Sequence, residues 1–295
     1  MKEPSRDADR PQWMKSTPFL GVHAMAFAAP FLAAPTWTLV GLAATVYALQ
    51  MFAITAGYHR YFAHRAYRTS RAFQLVLAVL GTITVQKGAL WWAAHHRDHH
   101  RHSDAVEDVH SPVQRGFWWS HVGWILSERH DRTKVDRVRD LARYPELAWL
   151  DRWGLALAVA FAAGLFLAGG LPWLLWGFFV PVTASWHVTF CINSLAHVLG
   201  RRRYPTGDDS RNNAVLALLT FGEGWHNNHH FYPSAANQGW FWWEVDLTWY
   251  ALRLLAAVGL VWDLRTPPQR VRDGVLVDPT DAAPVPLPDP FRLEA

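Results

Sequence analysis

The chain has 295 residues, a formal net charge of +4 and a mean hydropathy of −0.03. Its single cysteine, Cys191, excludes a disulfide within the chain. The mean hydropathy hides two blocks that contain no Asp, Glu, Lys or Arg, at residues 16–58 and 153–200. Blocks of this length favour a membrane protein over a soluble one. The excess of basic residues suits anionic lipid headgroups and requires no nucleic-acid partner.

In chain order, residues 1–15 form a charged leader that precedes the first block. This block is interrupted at residues 34–36 (Ala-Pro-Thr) and the second at residues 169–172 (Gly-Gly-Leu-Pro). Since a bilayer span needs about 20 apolar residues, each half can cross a membrane. The sequence therefore predicts an all-α integral membrane protein with four transmembrane helices in two hairpins. Their predicted bounds are about 18–34, 37–58, 153–169 and 172–192.

The distribution of basic residues predicts the orientation. Lys and Arg concentrate in the leader, between the two hairpins and at residues 201–203, whereas the far-side loops carry none. The positive-inside bias then places both termini, and the polar part that would hold an active site, in the cytoplasm. We expect one domain at residues 16–264, with a helical cap from residues 59–152 and 193–264. Residues 265–295, rich in Pro and Asp, are expected to be a disordered cytosolic tail.

Sixteen histidines are present, and their placement is more informative than their number. Eight of them lie in three short motifs beside apolar elements, two motifs having helical i, i+3, i+4 spacing. They are His59 and His64 in the first motif, His96, His99 and His100 in the second, and His226, His229 and His230 in the third. Side chains at this spacing share one helix face, so we expect each three-histidine motif to converge on one point.

Surface histidines that bind metal adventitiously would explain any one motif but not all three. Eight imidazoles exceed the four ligands of a structural zinc site and suit two adjacent ions. Imidazole favours iron, copper, zinc or nickel over magnesium or calcium, and the spacing does not choose among the four. A haem between two spans would need histidines inside the apolar blocks, where we expect His23 and His187 to be hydrogen-bonded residues and not ligands.

Further segments resemble one known family. They are residues 54–60 (ITAGYHR), 115–124 (RGFWWSHVGW), 193–197 (NSLAH) and 222–230 (GEGWHNNHH). In order and approximate spacing, residues 24–263 resemble the membrane fatty-acyl desaturases, and specifically their stearoyl-CoA (delta-9) branch. The resemblance implies a four-helix membrane stem and a cytosolic cap that holds two iron ions.

The resemblance also implies a ligand set and a reaction. One iron would be held by His59, His64, His100 and His230, and the other by His96, His99, His226, His229 and His197, with Asn193 acting through water. The second ring nitrogens would bond to carboxylates, for which Asp98, Asp104, Asp108 and Glu223 are the candidates. The reaction would be a dioxygen-dependent cis desaturation, with two electrons from a separate carrier such as a ferredoxin or a small cytochrome with its reductase.

The expected substrate is a fatty acyl-CoA, although Ala94 and Glu128 stand where acyl-CoA enzymes of this family have basic or polar residues, so an acyl-lipid stays open. The candidate substrate-binding residues are Tyr47, Met51, Thr55, Lys87, Trp118 and Arg129. Two alternatives remain. Membrane fatty-acid or alkane hydroxylases share three histidine motifs, and a metal transporter would instead place its ligands at mid-membrane depth.

Overall fold

A computed structural model describes residues 13–275 and residue 287. Residues 1–12 of the predicted leader, and residues 276–286 and 288–295 of the predicted tail, lie outside this description. The helices, in chain order, are α1 (Trp13–Leu32), α2 (Trp37–Phe52), α3 (Arg71–Thr82), α4 (Ala89–His102), α5 (Pro112–Arg115), α6 (Trp124–Leu126), α7 (Arg139–Ala142), α8 (Pro145–Leu174), α9 (Val180–Asn193), α10 (Ala214–Leu219), α11 (His226–Phe231), α12 (Leu247–Ala257) and α13 (Gln269–Arg272).

Short segments of other kinds join these helices. The π-helical segments are Ala53–Ala63, Trp119–Gly123 and Leu175–Phe179, and the 3₁₀ turns are Glu128–His130, Val135–Arg137 and Leu195–His197. Strands β1 (Arg68–Thr69) and β2 (Val261–Trp262) pair antiparallel, with Arg68 opposite Trp262. The described chain is therefore mostly helical, as the sequence predicts.

Within the described residues, two helical stretches are long and apolar enough to cross a membrane, Trp37–Ala63 and Pro145–His197. The second is interrupted at Gly170, whose φ of +65° is a left-handed conformation that glycine adopts without steric cost. This interruption lies where the sequence predicts a turn between two spans. The apolar part of α1, Ser16–Leu32, is shorter than those two stretches. The count of four spans stays a prediction.

The main core surrounds the π-helical continuation of α2. All eleven residues of Ala53–Ala63 are buried, and Tyr58 and Tyr61 pack there with Leu77 of α3 and Leu147 of α8. This packing fixes the helix end that carries the first histidine motif.

The start of the predicted tail is ordered. Helix α13 lies inside residues 265–295, and its Val271 is fully buried in a cluster with Tyr204 and Trp240. The prediction that disorder begins at residue 265 is therefore wrong for α13, because the Val271 side chain packs against the cap.

Candidate metal centre

The first motif lies at the end of the π-helical segment. There the backbone N–H of His64 donates to the carbonyl of His59 at 3.1 Å, an i→i+5 bond that is characteristic of a π-turn. Residues five apart are neighbours in this geometry, and the two imidazole centroids lie 4.9 Å apart. An α-helix would direct His59 and His64 to different sides, and the local π-helical conformation brings them together.

Nine histidines gather in two groups, within each of which the candidate ligand atoms lie within 4.8 Å of one another. The first group is His59, His64, His96, His100 and His229, and the second group is His99, His197, His226 and His230. All nine belong to the set named from the sequence, and they come from the end of the π-helical segment that continues α2, from α4, from α11 and from the turn after α9.

The division between the groups differs from the expectation. We expected each three-histidine motif to converge on one point, but the i and i+4 residues of each enter one group and the i+3 residue enters the other. His96 and His229 lie in the first group and His230 in the second, opposite to the assignment that the family resemblance implied. The reason is that consecutive helical residues point about 100° apart, so a helix lying between two sites serves both.

The distances fit metal ligation. The Nε2 atom of His229 lies 3.0 Å from that of His59 and 2.9 Å from that of His100, and the Nε2 atoms of His197 and His226 are 3.1 Å apart. With a metal–nitrogen bond of about 2.1 Å, two nitrogens at right angles around one ion would be about 3 Å apart. The Nε2 atom of His230 is buried and has no hydrogen-bond partner, as expected of a donor aimed at an ion.

Carboxylates hold the other ring nitrogen of four histidines. The Nδ1 to carboxylate-oxygen distances are 2.9 Å for His99–Asp108, 2.8 Å for His197–Asp104, 2.6 Å for His230–Asp208 and 2.5 Å for His59–Glu223. Such contacts fix ring orientation and leave Nε2 free for a metal.

Three of these carboxylates were expected from the sequence, and one expectation is wrong. Asp98 lies 2.6 Å from the Lys134 ammonium and 2.7 Å from the Arg137 guanidinium, on the outer side of α4. Asp208 takes the fourth place and was missed, since no spacing rule relates a loop residue to His230 so far along the chain.

Burial and charge set the protonation of the site. Burial lowers the pKa of His96, His100 and His229 well below the ordinary histidine value, so these rings are neutral and can donate a lone pair. Burial alone would raise the pKa of Asp104, but the hydrogen bond from His197 lowers it to about 2. By the same balance, His99 holds the pKa of Asp108 well below its usual range.

A buried cluster of charged side chains holds His59 in place. The guanidinium of Arg60, which is 1% exposed, makes two 3.0 Å hydrogen bonds to Asp246 and one of 3.0 Å to Glu223. Glu223 in turn contacts His59, so the ligand is oriented through a chain of charges.

The remaining predicted site residues lie in different places. Asn193 lines a cavity that also reaches His96, and its carbonyl accepts a 2.9 Å hydrogen bond from Ser120. Lys87 lines the same cavity and is ion-paired with Asp131.

The other five predicted substrate-binding residues do not line this cavity. Tyr47 donates to the carbonyl of Leu219 at 2.7 Å, Met51 is buried, and Thr55 bonds to Thr248 at 2.7 Å. The other two lie on the cap, where the indole of Trp118 is largely exposed and Arg129 belongs to the 128–130 turn.

The cavity has a volume of about 700 Å³ and is walled by α1, α4, α8 and α9. Its surface is mainly apolar, with Phe178, Trp186 and Phe190 along α9 and the preceding π-helical segment. The size and character suit a small apolar ligand.

Two histidines within the apolar helices form a separate network, as expected. The Nε2 atoms of His23 and His187 are 2.8 Å apart, and His187 Nδ1 lies 3.0 Å from His121 Nε2. This network ties α1 and α9 to the cap.

Comparisons with known proteins agree with this geometry. The family model of the fatty acid desaturases matches residues 35–265. An sn-2 palmitoyl-lipid 9-desaturase from Nostoc sp. (strain 36) is 37% identical over 263 residues, covering 87% of this chain and 92% of that protein. The delta-9 acyl-lipid desaturase 1 of Arabidopsis thaliana is 38% identical, covering 88% and 85%. An acyl-CoA 5-desaturase from Anemone leveillei is 35% identical, covering 84% and 77%. The chain belongs to the fatty acid desaturase family, in its delta-9 desaturase-like part.

Proposed function

We propose that this protein is a dioxygen-dependent desaturase that introduces a cis double bond at the delta-9 position of a saturated acyl chain carried by a membrane lipid. The observation that supports this most is the adjacency of the two histidine groups. The rings of His100 and His230, one from each group, have centroids 4.4 Å apart. Ions bound by two such neighbouring groups could act on one small molecule together.

Two iron ions bound by these groups would supply the activation of dioxygen and the oxidation of an unactivated C–H bond. The side chains hold the ligands in place, since Glu223, Asp104, Asp108 and Asp208 orient the rings that they contact. In the balanced reaction, the two hydrogens removed from the acyl chain, together with two electrons from the carrier and two protons, reduce one dioxygen to two waters.

The cavity supports an acyl substrate. It is apolar along α8 and α9, and it reaches His96 and Asn193, so a chain lying in it would present a fixed pair of carbons to the centre. Trp186 and Phe190 offer few polar groups beside such a chain, which would favour its oxidation over side reactions.

A lipid-linked substrate replaces the acyl-CoA that the sequence favoured. The two 9-desaturases described above are named for acyl-lipids, whereas the Anemone leveillei relative is named for acyl-CoA. Glu128, an acidic residue at a position where acyl-CoA enzymes of this family have a basic or polar one, lines the cavity. Its negative charge does not favour an anionic CoA group there.

We extend the proposal to four membrane spans, formed by α1, by Trp37–Ala63 and by the two halves of Pro145–His197. Large apolar side chains point outward along them, with Phe31 88% and Leu167 84% exposed, which suits lipid and not water. The basic segments support a cytoplasmic location for both termini and for the metal centre.

The electrons are proposed to come from a separate carrier. A chain with one cysteine cannot hold a ferredoxin-type cluster, which takes four. A ferredoxin, or a small cytochrome with its reductase, is the proposed donor, and the net positive charge of the chain would steer an acidic carrier to it.

The test is expression in a host that lacks its own desaturase, followed by gas chromatography of fatty acids with location of the double bond. The wild type is compared with His229→Ala and, as a matched control, with His102→Ala, a histidine of α4 outside both groups. We expect a cis-9 unsaturated acid from the wild type and from His102→Ala but not from His229→Ala. Hydroxy acids in place of the alkene would favour the hydroxylase alternative.

A further inference from the structure

The cavity that reaches the metal centre also reaches the outer side of the helix bundle. Leu155 and Val159, one turn apart on α8, line the cavity and are nevertheless 69% and 59% exposed. Pro18 of α1, also exposed, lines it from the other side. Residues that are both cavity-lining and exposed mark a mouth, which here lies between α1 and α8.

The depth of this mouth follows from the sequence of α8. Arg152 is the last charged residue before the uncharged block, and it also lines the cavity. At 1.5 Å per helical residue, Val159 lies about 10 Å further along the helix axis. If α8 crosses the bilayer, the aliphatic side of the mouth faces hydrocarbon and its charged edge lies at headgroup depth.

We infer that the substrate enters sideways from the bilayer, through the mouth between α1 and α8, as the acyl tail of a glycerolipid whose headgroup stays at the charged edge. This inference rests on the proposed desaturase function and adds the route and the position of the headgroup.

The chemistry of the edge favours such a lipid over a CoA thioester. The edge carries both signs of charge: Lys87 is paired with Asp131, and Glu128, Asp151 and Arg152 lie beside them. A CoA group carries several phosphates and needs an excess of cations, which this edge does not provide. A neutral or zwitterionic headgroup meets no net repulsion there.

The inner wall provides the path. Beyond Leu155 and Val159 the cavity is bounded by Ala158 and Ala162 of α8, whose small side chains leave room beside the rings of α9. An acyl tail can therefore pass from the mouth to His96 without crossing a charged surface.

The first test narrows the mouth. We compare Leu155→Trp and Val159→Trp with Leu167→Trp, a residue of α8 that is 84% exposed and does not line the cavity. The full-length variants are reconstituted with an electron donor in vesicles of phosphatidylcholine that carries stearoyl chains, and oleoyl formation is measured. We expect oleoyl formation to fall by about tenfold in the two mouth variants, because the added indole would compete with the acyl tail for the same space. A tenfold loss corresponds to about 1.4 kcal/mol, which lies within the usual cost of overfilling a packed site. Leu167→Trp should stay within about twofold.

The second test does not depend on activity. Phosphatidylcholine with a photoreactive diazirine on its acyl chain is irradiated with the protein, and labelled peptides are identified by mass spectrometry. Trp186 lines the cavity and is only 5% exposed, so a lipid tail reaches it only by entering. We expect labelling of Trp186 in the wild type and in Leu167→Trp, and its loss in Leu155→Trp.

The outcomes separate the two proposals. Equal oleoyl formation and equal Trp186 labelling in mouth and control variants would overturn the lateral route while leaving the desaturase function intact. A wild type that converts stearoyl-CoA but no vesicle lipid would overturn the lipid-linked substrate, and the lateral route with it. Metal content, measured in every variant, shows that a lost activity comes from the mouth and not from the centre.

Discussion

Replacement of Asp246 by Asn should destabilise the protein far more than the same change at an exposed Asp–Arg pair. Asp246 accepts two 3.0 Å hydrogen bonds from Arg60, and both side chains are 1% exposed. Asn keeps the size of Asp and can still cap α12 by accepting from the Trp249 N–H, now at 2.9 Å. The change removes the negative charge and, because an NH2 group takes the place of Oδ2, also the acceptor of the 2.7 Å hydrogen bond from the Gln238 N–H.

The magnitude follows from burial. Loss of one partner of a buried ion pair costs about 3–5 kcal/mol, and we take about 3 kcal/mol because Arg60 keeps Glu223 and the carbonyl of Ala236, at 3.0 and 2.7 Å. At about 2–4 °C per kcal/mol, the melting temperature should fall by about 6–12 °C. This is a large part of a typical total stability of about 5–15 kcal/mol.

The matched control is Asp263→Asn. Asp263 lies 3.2 Å from Arg68, but these side chains are 56% and 41% exposed, so the pair contributes less than about 1 kcal/mol. Thermal unfolding in detergent is followed by the fluorescence of the 18 tryptophans. If Asp246→Asn lowers the melting temperature no more than Asp263→Asn, the buried cluster does not stabilise the cap and our reasoning about Arg60 is refuted.

Three further predictions concern the metal centre and its surroundings. Asp208→Asn should weaken metal binding at the second group by about 10–100-fold, because it removes the partner of His230, and competition with a chelator measures this. His226→Leu should reduce bound metal by about one ion per chain, since it belongs to the second group alone; loss of both ions in elemental analysis would contradict two separate sites. Burial alone would raise the pKa of Asp140, but its hydrogen bonds with Arg97 at 2.7 and 2.9 Å lower it. The stabilisation by this ion pair is thus present above the unfolded-state pKa of Asp140 and is lost as the pH falls through the folded-state value. Asp140→Asn should therefore lower the melting temperature at pH 7, and this difference from the wild type should disappear below about pH 4.

Local spacing singled out eight of the nine histidines that gather in the two groups. Residues three or four apart on a helix are neighbours whatever the rest of the chain does, which covers the second and third motifs. His59 and His64, five apart, become neighbours only because their segment is π-helical. His197 stands alone and was identified only through the family resemblance. The structure brings it to 3.1 Å from His226.

Spacing did not predict which group each histidine joins, or which carboxylates hold the histidines and Arg60 in place. Which imidazole of α4 serves which group depends on the rotation of α4 against α11, and this is set by packing between distant segments. Asp208 and Asp246 become visible only when the chain has folded, because their partners His230 and Arg60 are separated from them by 22 and 186 residues. Spacing also does not predict which cavity a residue lines: Tyr47 and Thr55 bond to α10 and α12 and do not line the cavity described above.

The division of the histidines has a consequence for assembly. The first group takes ligands from the end of α2, from α4 and from α11, and the second from α4, α11 and the turn after α9. No helix completes either group alone, and each three-histidine helix contributes to both. Each group is complete only after three of these four regions have packed together, and both groups only after all four have. Metal binding would therefore stabilise the folded cap as a whole. The Arg60 cluster belongs to the same assembly, because Glu223 precedes α11 and contacts His59 of the π-helical segment. An isolated buried charge costs stability. Here the paired charges of Arg60 and Glu223 orient two chain segments that must meet for the centre to form.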